Sequence, residues 1–358
     1  MKKAFTILMT LILVVSMHLE IAAVDSMSHK LKIVSMDDIS DIKKCVLTEN
    51  VGLNEIKKID TSTLNKINTL DVSNKEKVKE IFCNLGITFI DESSKQQYIV
   101  DNINNIKSIT SNISYLKVAP DGTQTLIDKN TCLAEAKRAQ LKENLSYSSY
   151  GMSRNVVGGG SEDNDTYTYM RLAIGYLYLG NGIYELVGEW EWLNEPVCRF
   201  EDAFSLYALG LFWAPKNINA YEKVTRYQMR ITTNGVVQFD QPVYDSSTAD
   251  PTIDEDGIFY TWSLPNTTIS AAQTVRCTDF MCQIWAGAMV VDFDDYTQLL
   301  ALHSRYVHKK LAIFSSYSIV PEEYGVDLSF TLGIQKDIFK HYHPWNYYND
   351  ARNAGETE

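Results

Sequence analysis

The chain has 358 residues, 45% hydrophobic and 22% charged, with a net charge of −12. This composition excludes a wholly disordered chain, a collagen-like repeat and a coiled coil. The excess of acid argues against a nucleic-acid partner, which needs a cationic face to neutralise phosphates.

Met1-Lys2-Lys3 precedes an apolar run from Ala4 to Val15, and Ala22-Ala23 supply small residues. A charged start, a short apolar core and a small-residue site predict a secretory signal peptide over 1–23. The protein is therefore expected to be secreted and extracellular. The Asn-, Lys- and Ile-rich composition suggests a low-GC, Gram-positive bacterium. No later stretch is apolar over the roughly 20 residues that a helical span needs, so no membrane span is expected after signal removal.

Residues 24–145 read as a mainly helical region with one short hairpin. Ser73-Asn74-Lys75-Glu76 is a capping box, followed by Val78, Ile81, Phe82 and Leu85 at helical spacing and by Gly86 as a stop. A second helix is predicted over 92–106, with Tyr98, Ile99, Ile103 and Ile106 on its apolar side. Runs 113–118 and 123–127 flank Pro120-Asp121-Gly122 and predict a hairpin. Asn130 is the expected cap of a last helix over 131–145.

Residues 146–165 include Gly158-Gly159-Gly160 followed by Ser161 and acids, and read as a flexible linker. The charge balance changes there: 17 basic and 17 acidic residues lie between 24 and 150, against 14 and 27 between 151 and 358. All six Trp lie in the second half. Two independently built regions are expected, the second able to fold alone.

Residues 166–345 read as about ten short strands joined by turns, with Asn181-Gly182 and Asn234-Gly235 as hairpin signals. Strands are expected over 166–178, 183–193, 197–212, 226–233, 236–244, 258–264, 283–293, 299–309, 311–319 and 326–334. Residues 346–358 read as a C-terminal tail. The fold class is α+β: a small helical N-terminal region followed by an antiparallel β-sandwich.

The most distinctive run is Tyr184 to Pro196. On a strand, Trp190 and Trp192 share one face, and Glu189 and Glu191 the other. One reading is a sugar-stacking Trp pair, or a carboxylate pair for glycoside hydrolysis. The expected reading is a core-facing Trp pair with solvated Glu outside. Arg199 and Asp202 are candidates for an ion pair at a corner, with a binding role as the alternative. Asp292 and Asp294 form a second possible carboxylate pair.

Acids at 163, 165, 250, 254 and 256 could hold Ca²⁺, although Ser263 at the twelfth position fails the EF-hand pattern. No other cofactor is expected. His341 and His343 would share a strand face as a possible zinc or copper pair, short of a third ligand. Six Cys permit disulfides, and Cys277–Cys282 is the local candidate. There is no nucleophile elbow, P-loop or dinucleotide fingerprint.

The runs Ile81–Ile87, Tyr115–Thr123, Trp190–Pro196, Arg199–Asp202 and Tyr306–Lys309 resemble a loose group of secreted Gram-positive proteins. In that group a short helical region precedes a β-rich domain. The resemblance implies secretion and layout, and no activity. The expected function is a non-enzymatic role in binding an extracellular or cell-envelope partner, a glycan among the candidates. The alternative is a secreted carbohydrate hydrolase using Glu189 and Glu191 or Asp292 and Asp294.

Overall fold

A computed structural model describes residues 36–89, 94–149, 167–194, 196, 201–232, 235–244, 252–254, 257–263, 268–269, 274–292, 297–320 and 325–357. The expected signal peptide and most of the expected linker lie outside them.

Residues 36–149 contribute helices and strands alike: α1 (Met36–Lys44), β1 (Leu47–Val51), β2 (Asn54–Ile59), α2 (Thr61–Asn68), α3 (Asn74–Leu85), α4 (Ser94–Asn102), β3 (Ser108–Val118), β4 (Gln124–Ile127) and α5 (Lys129–Ser149). Local signals explain the helix ends. Asp60 caps α2 by accepting from Thr63 N at 2.9 Å. Ser73 accepts from Glu76 N at 3.3 Å and donates its hydroxyl to the Glu76 carboxylate at 2.8 Å. Gly86 closes α3 at φ 71°, where glycine carries no Cβ penalty. At α5 the cap is Asp128, which accepts from Thr131 N at 3.0 Å, rather than the expected Asn130.

The remaining elements are β5 (Thr168–Gly180), β6 (Ile183–Trp192), β7 (Glu201–Leu209), β8 (Leu211–Thr232), β9 (Gly235–Tyr244), β10 (Thr252–Asp254), β11 (Gly257–Ser263), β12 (Thr268–Ile269), β13 (Thr274–Val290), β14 (Leu299–Val320), β15 (Gly325–Asn346) and α6 (Tyr347–Asn353). Asn181 and Gly182 take φ values of 51° and 69° and turn β5 into β6, as a tight hairpin requires.

Every strand pairing among the described residues is antiparallel. One sheet runs β1-β2-β3-β5-β6-β13-β8-β9, with β4 on β3 and β12 on β13. The second runs β10-β11-β7-β14-β15.

The larger sheet is covered on both faces in its middle. Met170, Leu172, Ile174, Tyr176 and Tyr178 of β5 enter a core shared with Phe204, Leu206, Tyr306 and Phe339 of the other sheet. The alternate residue Leu177, with Val187 and Trp285, enters a core built with Ile42, Leu64, Ile81, Phe82 and Ile99 of the helices. Tyr169 and Ala173 pack with Cys132 and Ala136 of α5. The two-residue period of the strand thus feeds two different layers.

This arrangement corrects the expectation of two independent regions. β3 pairs with β5 from Ser108↔Tyr178 to Val118↔Thr168, so one sheet is continuous across the expected linker. The expected tail is also structured: α6 buries Tyr347, Asp350 and Ala351, and Tyr178 OH donates to Glu356. A fragment over 151–358 would leave β5 without its β3 neighbour and expose Leu177, Val187 and Trp285. It is expected to melt without a cooperative transition by circular dichroism. A sharp transition at the full-length midpoint would show that the first 150 residues are dispensable.

Candidate functional site

The N-terminal layer decides the state of the two expected carboxylates. Glu189 is 1% exposed. It accepts from Thr88 N at 2.9 Å, the Thr88 hydroxyl at 2.6 Å, Gln283 Nε2 at 2.7 Å and the Arg171 guanidinium. Arg171 Nε also donates to Glu191 at 2.9 Å, and Glu191 stays partly exposed. Gln283 in turn accepts from Trp285 Nε1 at 2.7 Å. Solvated Glu189 is therefore a wrong expectation: its face is the underside of a second layer. Both carboxylates are bridged by one cation, and Glu189 is enclosed by donors. Neither acid is disposed as glycosidase carboxylates are, opening onto a sugar from two sides. Nearby, Lys95 and Glu185 form a buried pair at 2.9 Å; burial raises the Glu185 pKa, and Lys95 opposes that rise.

Trp190 and Trp192 lie on the opposite face, in the core. Trp190 stacks on Tyr306 at 4.4 Å between ring centres, so it offers no platform to a sugar. Trp192 Nε1 donates to Tyr306 OH at 2.8 Å, and that hydroxyl donates to Asp202. His308 Nδ1 lies 3.0 Å from Asp202 Oδ1. Burial pushes the Tyr306 pKa far up, so its hydroxyl remains a donor. This cluster joins β6, β7 and β14 and pins the root of β14.

Other expected residues stay apart. Arg199 and Asp294 lie outside the described residues, and Asp292 is exposed two residues past the end of β13. Among the loop acids, Asp254 falls in β10, and 163, 165, 250 and 256 are outside the described residues. No group of three potential metal ligands occurs among the described residues.

His341 and His343 are buried, and burial lowers both pKa values to about 4. His341 is thus neutral; Nε2 donates to Asn112 O at 2.9 Å and Nδ1 lies 2.8 Å from Ser114 Oγ. His343 packs beside the stacked rings of Tyr176 and Trp345, 6.0 Å from each, with neither ring nitrogen hydrogen-bonded. They serve as packing groups of β15. Cys277 and Cys282 belong to the single strand β13, five positions apart. Strand rise separates them by about 15 Å, whereas a disulfide requires Cα atoms within about 7 Å. Cys282 is a buried thiol, so the expected bridge is not formed.

The feature that the sequence reading missed is strand length. Runs expected as separate strands over 299–309 and 311–319 form one strand, β14, paired with β15 from Leu299↔Asn346 to Val320↔Gly325. β7 pairs with β14 only over Ala301–Val307. Beyond Lys309↔Lys336 no described strand flanks either partner, and the hairpin continues as a two-stranded ribbon. Its register puts Leu311, Ile313, Ser315, Tyr317 and Ile319 opposite Ile334, Leu332, Phe330, Leu328 and Val326. The alternate positions hold Ala312, Phe314, Ser316, Ser318 and Val320 opposite Gly333, Thr331, Ser329, Asp327 and Gly325. The period-two signal was legible in the residues; the pairing of its two halves was not.

No family model matches the chain, and no curated protein matches it. Among solved structures it is similar to one described as a pore forming protein, at 7% identity and a TM-score of 0.24, covering 54% of this chain and 90% of that one. It is also similar to the Clostridium perfringens NetB toxin in the membrane inserted form, at 7% identity and a TM-score of 0.22, covering 53% and 94%. A third, described as BspA_C_mut, has 10% identity and a TM-score of 0.19, covering 76% and 81%.

Proposed function

We propose that the protein is exported, is not an enzyme, and acts on a lipid bilayer, into which the distal β14–β15 hairpin inserts. The observation that carries this reading is the register of the ribbon between Leu311↔Ile334 and Val320↔Gly325. Each strand contributes ten positions there, matching the roughly 9–11 residues of a membrane-spanning β-strand. One parity is apolar at nearly every position, and the other is mostly small or polar. That alternation belongs to a barrel wall with lipid outside and water inside.

Two exposed strand edges are costly in water and prohibitive in hydrocarbon, where every backbone group must be paired. One hairpin has two such edges, so insertion requires several copies to close a barrel. The base of each copy is then a two-layer β-sandwich with the N-terminal helices packed on its outer side. This departs from the expectation of no membrane span, which rested on helical length. The non-enzymatic part of the proposal draws support from Arg171 bridging both Glu189 and Glu191.

The test is dye release from sealed phospholipid vesicles by the full chain. Release is expected for the native protein. Phe330→Arg, at the apolar parity near mid-span, costs about 2–4 kcal/mol per copy on a lipid face, and release should fall at least tenfold. Thr331→Arg, at the other parity, should retain release within a few-fold. No release by the native chain, or equal release by Phe330→Arg, would overturn the proposal.

A further inference from the structure

The outer face of the second sheet carries on the parity of the apolar hairpin positions toward the base of the molecule. Reading back from Leu311 and Ile334, the successive cross-strand pairs are Lys309↔Lys336, Val307↔Ile338, Arg305↔Lys340 and His303↔Tyr342. β7 adds Ala203, Ser205 and Tyr207 beside Val307, Arg305 and His303. β11 adds Phe259 beside Ser205. Arg305, Lys336, Lys340, Tyr207, Tyr342 and Phe259 are exposed. Tyr207, His303 and Tyr342 form a row, with centroid spacings of 5.8 and 4.4 Å.

Two features of this face suit an anionic partner. Like charges directly opposite one another destabilise a ladder, yet both Lys309↔Lys336 and Arg305↔Lys340 are such pairs. None of Arg305, Lys336 and Lys340 forms an ion pair with a described residue. The nearest acid of the same parity is Glu201, at the start of β7. This concentration of cations occurs on a chain of net charge −12.

We infer that this face docks on the anionic phospholipid headgroups of the bilayer that receives the hairpin. The inference rests on the membrane reading and names the lipid class it selects. Position supports it. At about 3.3 Å per residue and a tilt near 45°, Lys309 and Lys336 stand about 5 Å above the hydrocarbon edge, within the headgroup layer. Arg305 and Lys340 stand about 14 Å above that edge, within roughly a Debye length of the headgroups at physiological salt. Tyr342 and Tyr207 follow, amphipathic rings of the kind enriched at membrane interfaces. The net negative charge of the rest of the chain repels an anionic surface, so approach with this face foremost is selected.

The experiment is co-sedimentation of the full chain with vesicles of phosphatidylcholine alone and of phosphatidylcholine with phosphatidylserine. The native chain should bind the anionic vesicles roughly a hundredfold more tightly, and added salt should weaken that binding. Each juxtamembrane cation contributes about a fivefold effect. The triple variant Arg305→Gln, Lys336→Gln, Lys340→Gln should therefore lose roughly a hundredfold and fall to the neutral-vesicle level. Equal binding to both vesicle types, or an unchanged triple variant, overturns the inference. So does binding to a soluble acidic polysaccharide with no preference between vesicles. Phe330→Arg separates the two proposals: it should keep the lipid preference while losing dye release.

Discussion

Replacing Trp190 by Ala is expected to lower the unfolding free energy by about 3–5 kcal/mol, the usual range for a core aromatic. Trp190 is fully buried and stacked on Tyr306, which also anchors Trp192 and Asp202. The neighbouring Glu189→Ala is expected to cost a similar amount, about 3–5 kcal/mol, because one partner of a buried ion pair would be removed. Arg171 would keep Glu191, while the Thr88 and Gln283 donors would lose their acceptor inside the protein. Glu191→Ala should cost no more than about 1 kcal/mol, as befits a partly exposed pair. Urea midpoints of the three full-length variants decide the matter. A near-native midpoint for Glu189→Ala would mean that the N-terminal layer does not seal that face. A near-native midpoint for Trp190→Ala would remove that residue from the core.

Acidification gives the second large effect. His341 and His343 are held neutral by burial, with pKa values lowered to about 4. Unfolding frees both to titrate near the ordinary 6.5, so the unfolded chain binds more protons as pH falls from 6.5 to 4. The stability they contribute is complete above 6.5 and is lost across that window, by about 3 kcal/mol each.

Asp350 has the opposite sign. Burial raises its pKa to about 6, while Lys58 and the hydroxyls of Tyr184 and Ser108 hold it down. It costs stability above pH 6, and that cost of about 3 kcal/mol is relieved as pH falls toward 3.8. The net expectation is a loss of about 3 kcal/mol between pH 6.5 and 4. Asp350→Asn should raise the urea midpoint at pH 7.5, where the wild-type carboxylate is ionised, and steepen the decline below pH 6. A midpoint that is flat between pH 7.5 and 4.5 would contradict the burial of both imidazoles.

Local chemistry was legible wherever one short segment settles the matter. Ser73 and Gly86 bound α3 as their residue types require. Asn181-Gly182 makes its turn, and the alternation of Trp with Glu in β6 places both Trp residues in the core. The antiparallel, β-rich character of residues 168–346 likewise follows from aromatic and β-branched runs separated by turn residues.

What covers each face could not be read from alternation. Period two says that Glu189 and Glu191 share a side; it does not say that Thr88 and α3 close over that side. That closure depends on β3 pairing with β5, with β4 and α5 between them in sequence, and so on the tertiary structure. Strand length was hidden for a related reason. Lys309-Lys310 reads as the end of a strand because charge marks a solvated rim, but a two-stranded ribbon is not bound by the burial that trims strands in a packed sheet. Only the register with β15 carries the ladder past those lysines. The same ladder lines up their neighbours as an apolar stripe, because cross-strand partners share a face whatever their distance in sequence.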